Sequence, residues 1–305
     1  MRAANSAFNC LVAATLTLLG PLLGAAGTAE AADLGGPSAL EETPRPTSAR
    51  SLSFTPYSWL AGLNGHTTAK GRTTDIDADP IEVLDHLDGV PWMSYVEARS
   101  GPLALYGDII YAPIGADAGR TRTFGGLTIS GALDVDVRET IAEAGAAYEI
   151  AKWRTGGPLG FGTGPTALDV LAGARYWRQE VDIRLALTAT LDLAGLSVSG
   201  SRAFARSGTV EWVDPLVGLR LRHQLAPGQE LVLRGDVGGF DAGSTFSWNV
   251  LAAYSWQIAT YGGVTYSGIL GYRALSVDFE KGSGPTRFEY DVIQHGPLLG
   301  FTASF

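Results

Sequence analysis

Cysteine, charge and long apolar runs are all scarce in this 305-residue sequence. It has one cysteine and four histidines, and 17% of its residues are charged, against about 25% in an ordinary soluble domain. The one cysteine, Cys10, lies ahead of an N-terminal apolar stretch that reads as an export signal. Beyond that stretch disulfides, thiol catalysis and cysteine metal sites are excluded together. No later apolar run approaches the roughly 20 residues that a membrane helix needs, which argues against a helical membrane protein. Basic residues are outnumbered, 22 Lys and Arg against 31 Asp and Glu, for a net charge of -9. A nucleic-acid partner, which requires a basic face, is therefore not expected. The sequence has no phosphate-cradling glycine loop, no nucleotide fingerprint and no metal cluster, so no cofactor and no metal is expected.

Glycine, by contrast, is abundant, with 40 residues, and aromatics make up 10%. Without helical spans, this leaves an all-β soluble protein or a transmembrane β-barrel, whose signal is weak per segment and spread along the chain. Residues 1–31 read as a signal peptide: Arg2 is the charged end, Leu11 to Leu23 the apolar core, and Ala29-Glu30-Ala31 the cleavage site. Residues 32–50, rich in Pro, Gly, Ser and Glu, read as a flexible periplasmic leader. Residues 51–305 form the expected barrel domain.

From Leu52 onward the dominant pattern is alternation, the period of a strand. It predicts about ten strands, with eight or twelve as alternatives. They lie near Leu52–Leu63, Trp92–Ser100, Leu103–Ala112, Thr140–Lys152, Ala167–Trp177, Val210–His223, Glu230–Phe240, Phe246–Gln257, Val264–Ala274 and Ile293–Phe305. Short connections such as Ser100-Gly101-Pro102 nearly alternate with long ones, read as loops at Asn64–Pro91, Pro113–Glu139, Arg178–Thr209 and Leu275–Val292. An antiparallel up-and-down meander with turns on one side and long loops on the other fits an outer-membrane barrel.

Each strand has one apolar face and one small, polar or charged face. Val217, Leu219 and Leu221 alternate with Gly218, Arg220 and Arg222, for example. A soluble β-sandwich that binds a ligand would show the same period, so alternation alone does not decide. Three features favour the membrane barrel. Trp92, Trp177, Trp212 and Trp248 fall near the loop side and Trp153 and Trp256 near the turn side, as two interfacial girdles would. Arg and Asp occur in mid-strand. The chain also ends in an alternating apolar strand, Leu299-Gly300-Phe301-Thr302-Ala303-Ser304-Phe305.

That ending resembles the C-terminal signature of bacterial outer-membrane proteins, with Leu299, Phe301 and Phe305 in the signature positions. The resemblance implies that the barrel-assembly machinery is a partner and that the chain resides in the outer membrane, against lipid and lipopolysaccharide. Pro56-Tyr57-Ser58-Trp59-Leu60, Trp212-Val213-Asp214-Pro215, Arg234-Gly235-Asp236-Val237-Gly238-Gly239-Phe240 and His295-Gly296-Pro297 resemble a group of proteobacterial outer-membrane β-barrel proteins. That group brings fold and location but no settled activity.

Strand parity points Glu97, Arg99, Asp108, Glu143, Glu149, Arg175, Asp214, Arg220, Arg222, Arg234, Asp236 and Arg273 into the lumen. Balanced signs suit a network in which the planar arginine fork grips carboxylates. Such a network either closes the barrel or lines a narrow, weakly conducting path for small polar solutes. A rim enzyme, protease or lipid-modifying, would need His with Asp or Ser in reach. His66, His86, His223 and His295 show no such spacing, so no catalytic residue is assigned. In the first long connection, Asp75-x-Asp77-x-Asp79 opens like a calcium loop but has Pro80 and His86 where Gly and Glu are required. Asp79, Pro80 and Glu82 instead predict a helix start, with Ile81, Leu84 and Leu87 on one face that could pack on the barrel mouth.

Overall fold

The computed structural model describes residues 50–69, 72–124, 127–154, 164–193 and 196–305. The expected signal peptide and nearly all of the expected leader lie outside them. Twelve strands form one antiparallel sheet: β1 (Arg50–Trp59), β2 (Gly62–Ala69), β3 (Arg72–Ala78), β4 (Trp92–Ser100), β5 (Leu103–Phe124), β6 (Leu127–Arg154), β7 (Pro165–Leu193), β8 (Leu196–Ala226), β9 (Gln229–Gly239), β10 (Phe246–Tyr261), β11 (Val264–Lys281) and β12 (Phe288–Ser304). Ten of them close a ring. β1 pairs with β4 on one side and with β12 on the other. A single closed sheet has no edges within the ring and is not a two-sheet sandwich.

The first expected strand is two strands with a bend at Leu60 and Ala61. β1 pairs with the turn-side half of β12 and β2 with its loop-side half. The backbone of Leu60 comes close to β12 there: Leu60 N–H donates to Pro297 O at 2.9 Å, and a Cβ on Gly296 would meet Leu60 O at 1.8 Å. Only glycine permits this approach. β2 and β3 form a hairpin above the ring, followed by the predicted short helix α1 (Pro80–Asp85). Asp79 caps it, accepting from the backbone N–H groups of Ile81 and Glu82 at 2.8 Å. The expected packing on the mouth is corrected: α1 buries no residue, and Ile81 is 70% exposed.

Three of the segments read as long loops are largely strand. β5 and β6 pair without a break from Leu103↔Tyr148 to Phe124↔Leu127, and β7 and β8 from Thr166↔His223 to Leu193↔Leu196. β11 and β12 continue to Lys281↔Phe288. Beyond Gly115 on β5 and Trp212 on β8, these strands leave the ring and project as an open four-stranded sheet, β5-β6-β7-β8. The projecting part of β7, from Arg178 to Leu193, is about 50 Å long at a strand rise near 3.3 Å.

The ring has an apolar outside. On β7 the outward residues Leu168, Val170, Ala172, Ala174 and Tyr176 span the 9 to 11 residues that a tilted strand needs to cross a membrane. Val217 and Leu219 on β8 and Val250 on β10 are about half exposed on the same outer surface. This band stops at one level, where Thr140, Arg178 and Glu211 are cross-strand partners and Tyr176 donates to Glu211 at 2.8 Å. Trp92, opposite Tyr111, lies at the same level. Two of the expected girdle tryptophans are corrected: Trp177 and Trp212 point inward and are buried.

Above that level the faces exchange character. No bulge interrupts the pairing there, so strand parity is kept. The outside now carries Asp134, Asp136, Arg138, Glu180, Asp182 and Arg184, and the inside carries Leu133, Val135, Ile183, Leu185 and Phe204.

Candidate functional site

From the turn side upward the lumen is filled by inward-facing residues of the ring strands. On the turn side, Asp169 is fully buried and is the hub. It accepts from Arg220 Nε at 2.9 Å, from Arg222 Nε at 3.0 Å and Nη2 at 3.1 Å, and from Arg99 Nη2 at 3.4 Å. Glu97 takes hydrogen bonds from Tyr95, Arg99 and Arg220, and Glu149 from Arg222.

One layer higher, Glu143 and Asp236 are held between two arginines. Arg175 Nη2 donates to both, at 2.7 Å each, while Arg234 donates to Asp236 through Nε at 2.9 Å and also to Glu143. Asn249 connects this group to the next: it donates to Asp236 at 2.8 Å and accepts from Arg273 Nε at 2.9 Å. Arg273 then binds Asp108 at 2.8 Å, and Tyr57 donates to the same carboxylate at 2.7 Å. The Arg234 guanidinium lies over the Tyr106 ring and that of Arg273 over the Trp59 ring, both at 5.1 Å. Each buried charge costs several kcal/mol to desolvate unless it is paired and hydrogen-bonded, and here pairing extends from wall to wall.

Asp214 stands apart from this network. It is fully buried, but among the described residues it has no ion pair. It accepts from the backbone N–H of Ser244 at 2.6 Å and from Trp212 Nε1 at 3.3 Å, which ties the β9–β10 connection to the wall. The sequence reading missed Asp169, Asn249 and the hydroxyls of Tyr57 and Tyr95. Asp169 shares the parity of Arg175 on β7, so the same count along the strand identifies it.

Directly above the ionic layers lies an apolar one. Trp59, Ile110, Ile141, Trp177, Trp212 and Leu275 each stand two residues on the loop side of Tyr57, Asp108, Glu143, Arg175, Asp214 and Arg273. Trp177, Trp212 and Phe279 stack in sequence with centroids 5.5 and 4.0 Å apart. Against this layer Glu139 is buried among neutral donors, with Gln294 Nε2 at 2.8 Å from both its oxygens and Gln179 and Tyr290 completing the set.

Outside the lumen, the calcium-like loop is accounted for by local bonds. Asp75 is the cross-strand partner of His66, Asn64 donates to Asp77, and Asp79 caps α1. His66 lies 3.5 Å from Glu289. His295 faces outward on β12, against Tyr272 and Asn64. His86 is bonded through Nδ1 to Glu82 O, and His223 to the Thr166 hydroxyl at the turn side. On the outer face of the projecting sheet, Arg138 binds Glu180 and Asp182, and Arg184 binds Asp134 and Asp136. The hydrogen bond from Arg178 holds the Glu180 carboxyl below the usual carboxylate range.

With its apolar belt outside and its ionic core inside, the chain belongs to the class of antiparallel up-and-down transmembrane β-barrels. No protein-family model and no curated protein matches the sequence. Among solved structures it is similar to the attachment invasion locus protein Ail of Yersinia pestis (13% identity, TM-score 0.28, covering 84% of this chain and 99% of that one). It is also similar to a FadL homologue of Pseudomonas aeruginosa (8%, 0.27, 85% and 90%) and to the translocator domain of the autotransporter NalP of Neisseria meningitidis (12%, 0.27, 83% and 87%). Likeness at this level says nothing about what the chain does.

Proposed function

We propose that the chain is an outer-membrane barrel with a closed lumen, a structural element without enzymatic activity that carries a sheet beyond the outer leaflet. One observation carries this reading: two seals lie in series across the interior. In the ionic seal Asp169 and Arg175 are fully buried, and in the apolar seal Trp177, Leu275 and Val292 are. A ten-stranded ring is little wider than the eight-stranded one that side chains already fill, which supports a lumen closed by these layers. The export-like N-terminus and the strand ending in Leu299, Phe301 and Phe305 support the outer membrane as location. They also support the barrel-assembly machinery as partner, and lipid and lipopolysaccharide would surround the apolar belt. The purified full chain is expected to give no conductance steps in a planar bilayer. Reproducible steps would overturn the closed reading in favour of a narrow pore for small polar solutes.

A further inference from the structure

The inner face of the projecting sheet is an apolar surface with no cover among the described residues. Leu133, Leu185 and Phe204 form one cross-strand row on β6, β7 and β8, and Val135, Ile183 and Arg206 form the next. Ile129, Leu187 and Phe204 are 43%, 40% and 53% exposed. Water is the wrong solvent for such a surface, and contiguous apolar patches of this kind mark interaction sites.

The charges on this face have one sign. Among the described side chains from Ile114 to Val137 and from Val181 to Val210, the inward ones are apolar, glycine or arginine, and the carboxylates are on the outer face. Arg122 lies on one free edge strand and Arg202 and Arg206 on the other. All three are exposed, and none has an ion pair among the described residues, whereas Arg138, Arg178 and Arg184 on the outer face are each paired. Val210, at the foot of the β8 row, also lines an open cleft of about 720 Å³ at the β8 edge, shared with the outer-face residues Arg178 and Glu211 and with Lys281 and Phe288.

We propose that this face binds a free single-chain anionic amphiphile from the external medium, with the acyl chain along the leucine and phenylalanine rows and the carboxylate or phosphate on Arg202 and Arg206. A second copy of the chain laid face to face would set arginine against arginine. Bilayer lipids meet the outer surface of the ring, not this inner one. The proposal rests on the chain spanning a membrane but not on its lumen being closed, so a conductance result leaves it standing.

The test is equilibrium dialysis of laurate, with dodecyl phosphate and dodecyltrimethylammonium in parallel, against the full chain in phosphatidylcholine nanodiscs. Empty discs give the baseline. Saturable binding of laurate or dodecyl phosphate is expected, weakened about tenfold or more by Arg202→Ala with Arg206→Ala and unchanged by Arg184→Ala. A heat shift on a gel shows that each variant is folded. Leu185→Asp, which puts a carboxylate between Leu133 and Phe204, is expected to abolish binding. Equal binding of the cationic amphiphile would overturn the proposal, as would no saturable binding of either anion. Competition from phosphatidylglycerol in the disc would also overturn it, in favour of a bilayer lipid. A dimer in sedimentation that binds no laurate would assign the face to a second copy.

Discussion

Arginine is the residue on which the interior depends, and its value differs with depth. Arg175 is fully buried and serves two carboxylates, Glu143 and Asp236. Arg175→Ala leaves Arg234 as the one arginine shared by both among the described residues, and breaking a buried ion pair in this way costs about 3–5 kcal/mol. Urea unfolding in phospholipid vesicles, followed by the heat-shifted band on a gel, is expected to show that loss. Arg175→Met combined with Glu143→Gln, which removes charge of both signs, is expected to recover most of it. Arg184 makes two ion pairs as well, but its side chain is 60% exposed. Solvent screening limits such pairs to about 0–1 kcal/mol, and Arg184→Ala is expected to leave the unfolding midpoint nearly in place. An arginine count equates these residues; only burial separates them.

At the scale of the element, the hairpins β5–β6 and β7–β8 each have two jobs along one strand. Their lower parts close the ring and their upper parts build the projecting sheet, with the change at the level of Thr140, Arg178 and Glu211. Excising residues 117–134 and 183–206 is therefore expected to leave a barrel that still shifts with heat on a gel but no longer binds laurate. An unfolded product would mean that the sheet is needed for the ring. The same change of character explains what the sequence hid. On β7 the outward apolar face lies at even positions from Leu168 to Tyr176, and the apolar face beyond lies at odd positions from Val181; on β6 it moves from Ala142 and Ala144 to Val135 and Val137. The alternation slips phase by one residue across a short polar stretch, and a slip of phase reads as the end of a strand. The ring strands kept one phase throughout, so their faces and most of the lumen charges were legible. The sequence pattern assigns Trp177 and Trp212 to the girdle wrongly, because an aromatic near a strand end suits an interfacial belt and an interior stack equally well. Asp214 looked like a network member because parity reports direction, not partner.

At the scale of the whole ring, closure is a bond between its first and last strands, β1 and β12. Phe305 N–H donates to Leu52 O at 2.8 Å, Leu52 N–H donates to Phe305 O at 3.3 Å, and the register runs on from Ser53↔Ser304. Deleting Phe305 removes this pair along with the aromatic of the expected assembly signal. Less folded, heat-shifting protein is expected in cell envelopes, and an unchanged yield would show that the remaining β1–β12 register suffices. The seam also sets a clock. Hairpins such as β10–β11 join neighbours in sequence and can zip early, but the β1–β12 contact spans nearly the whole described chain. Its closure entropy rises only slowly with loop length, yet it must be met before any contact at the seam offsets it, and non-local pairing of this kind slows folding. Until then β1 and β12 are both open edges, ready to pair with the wrong strand. The vulnerable state of this protein is thus a nearly complete one, with its strands formed and its ring unclosed.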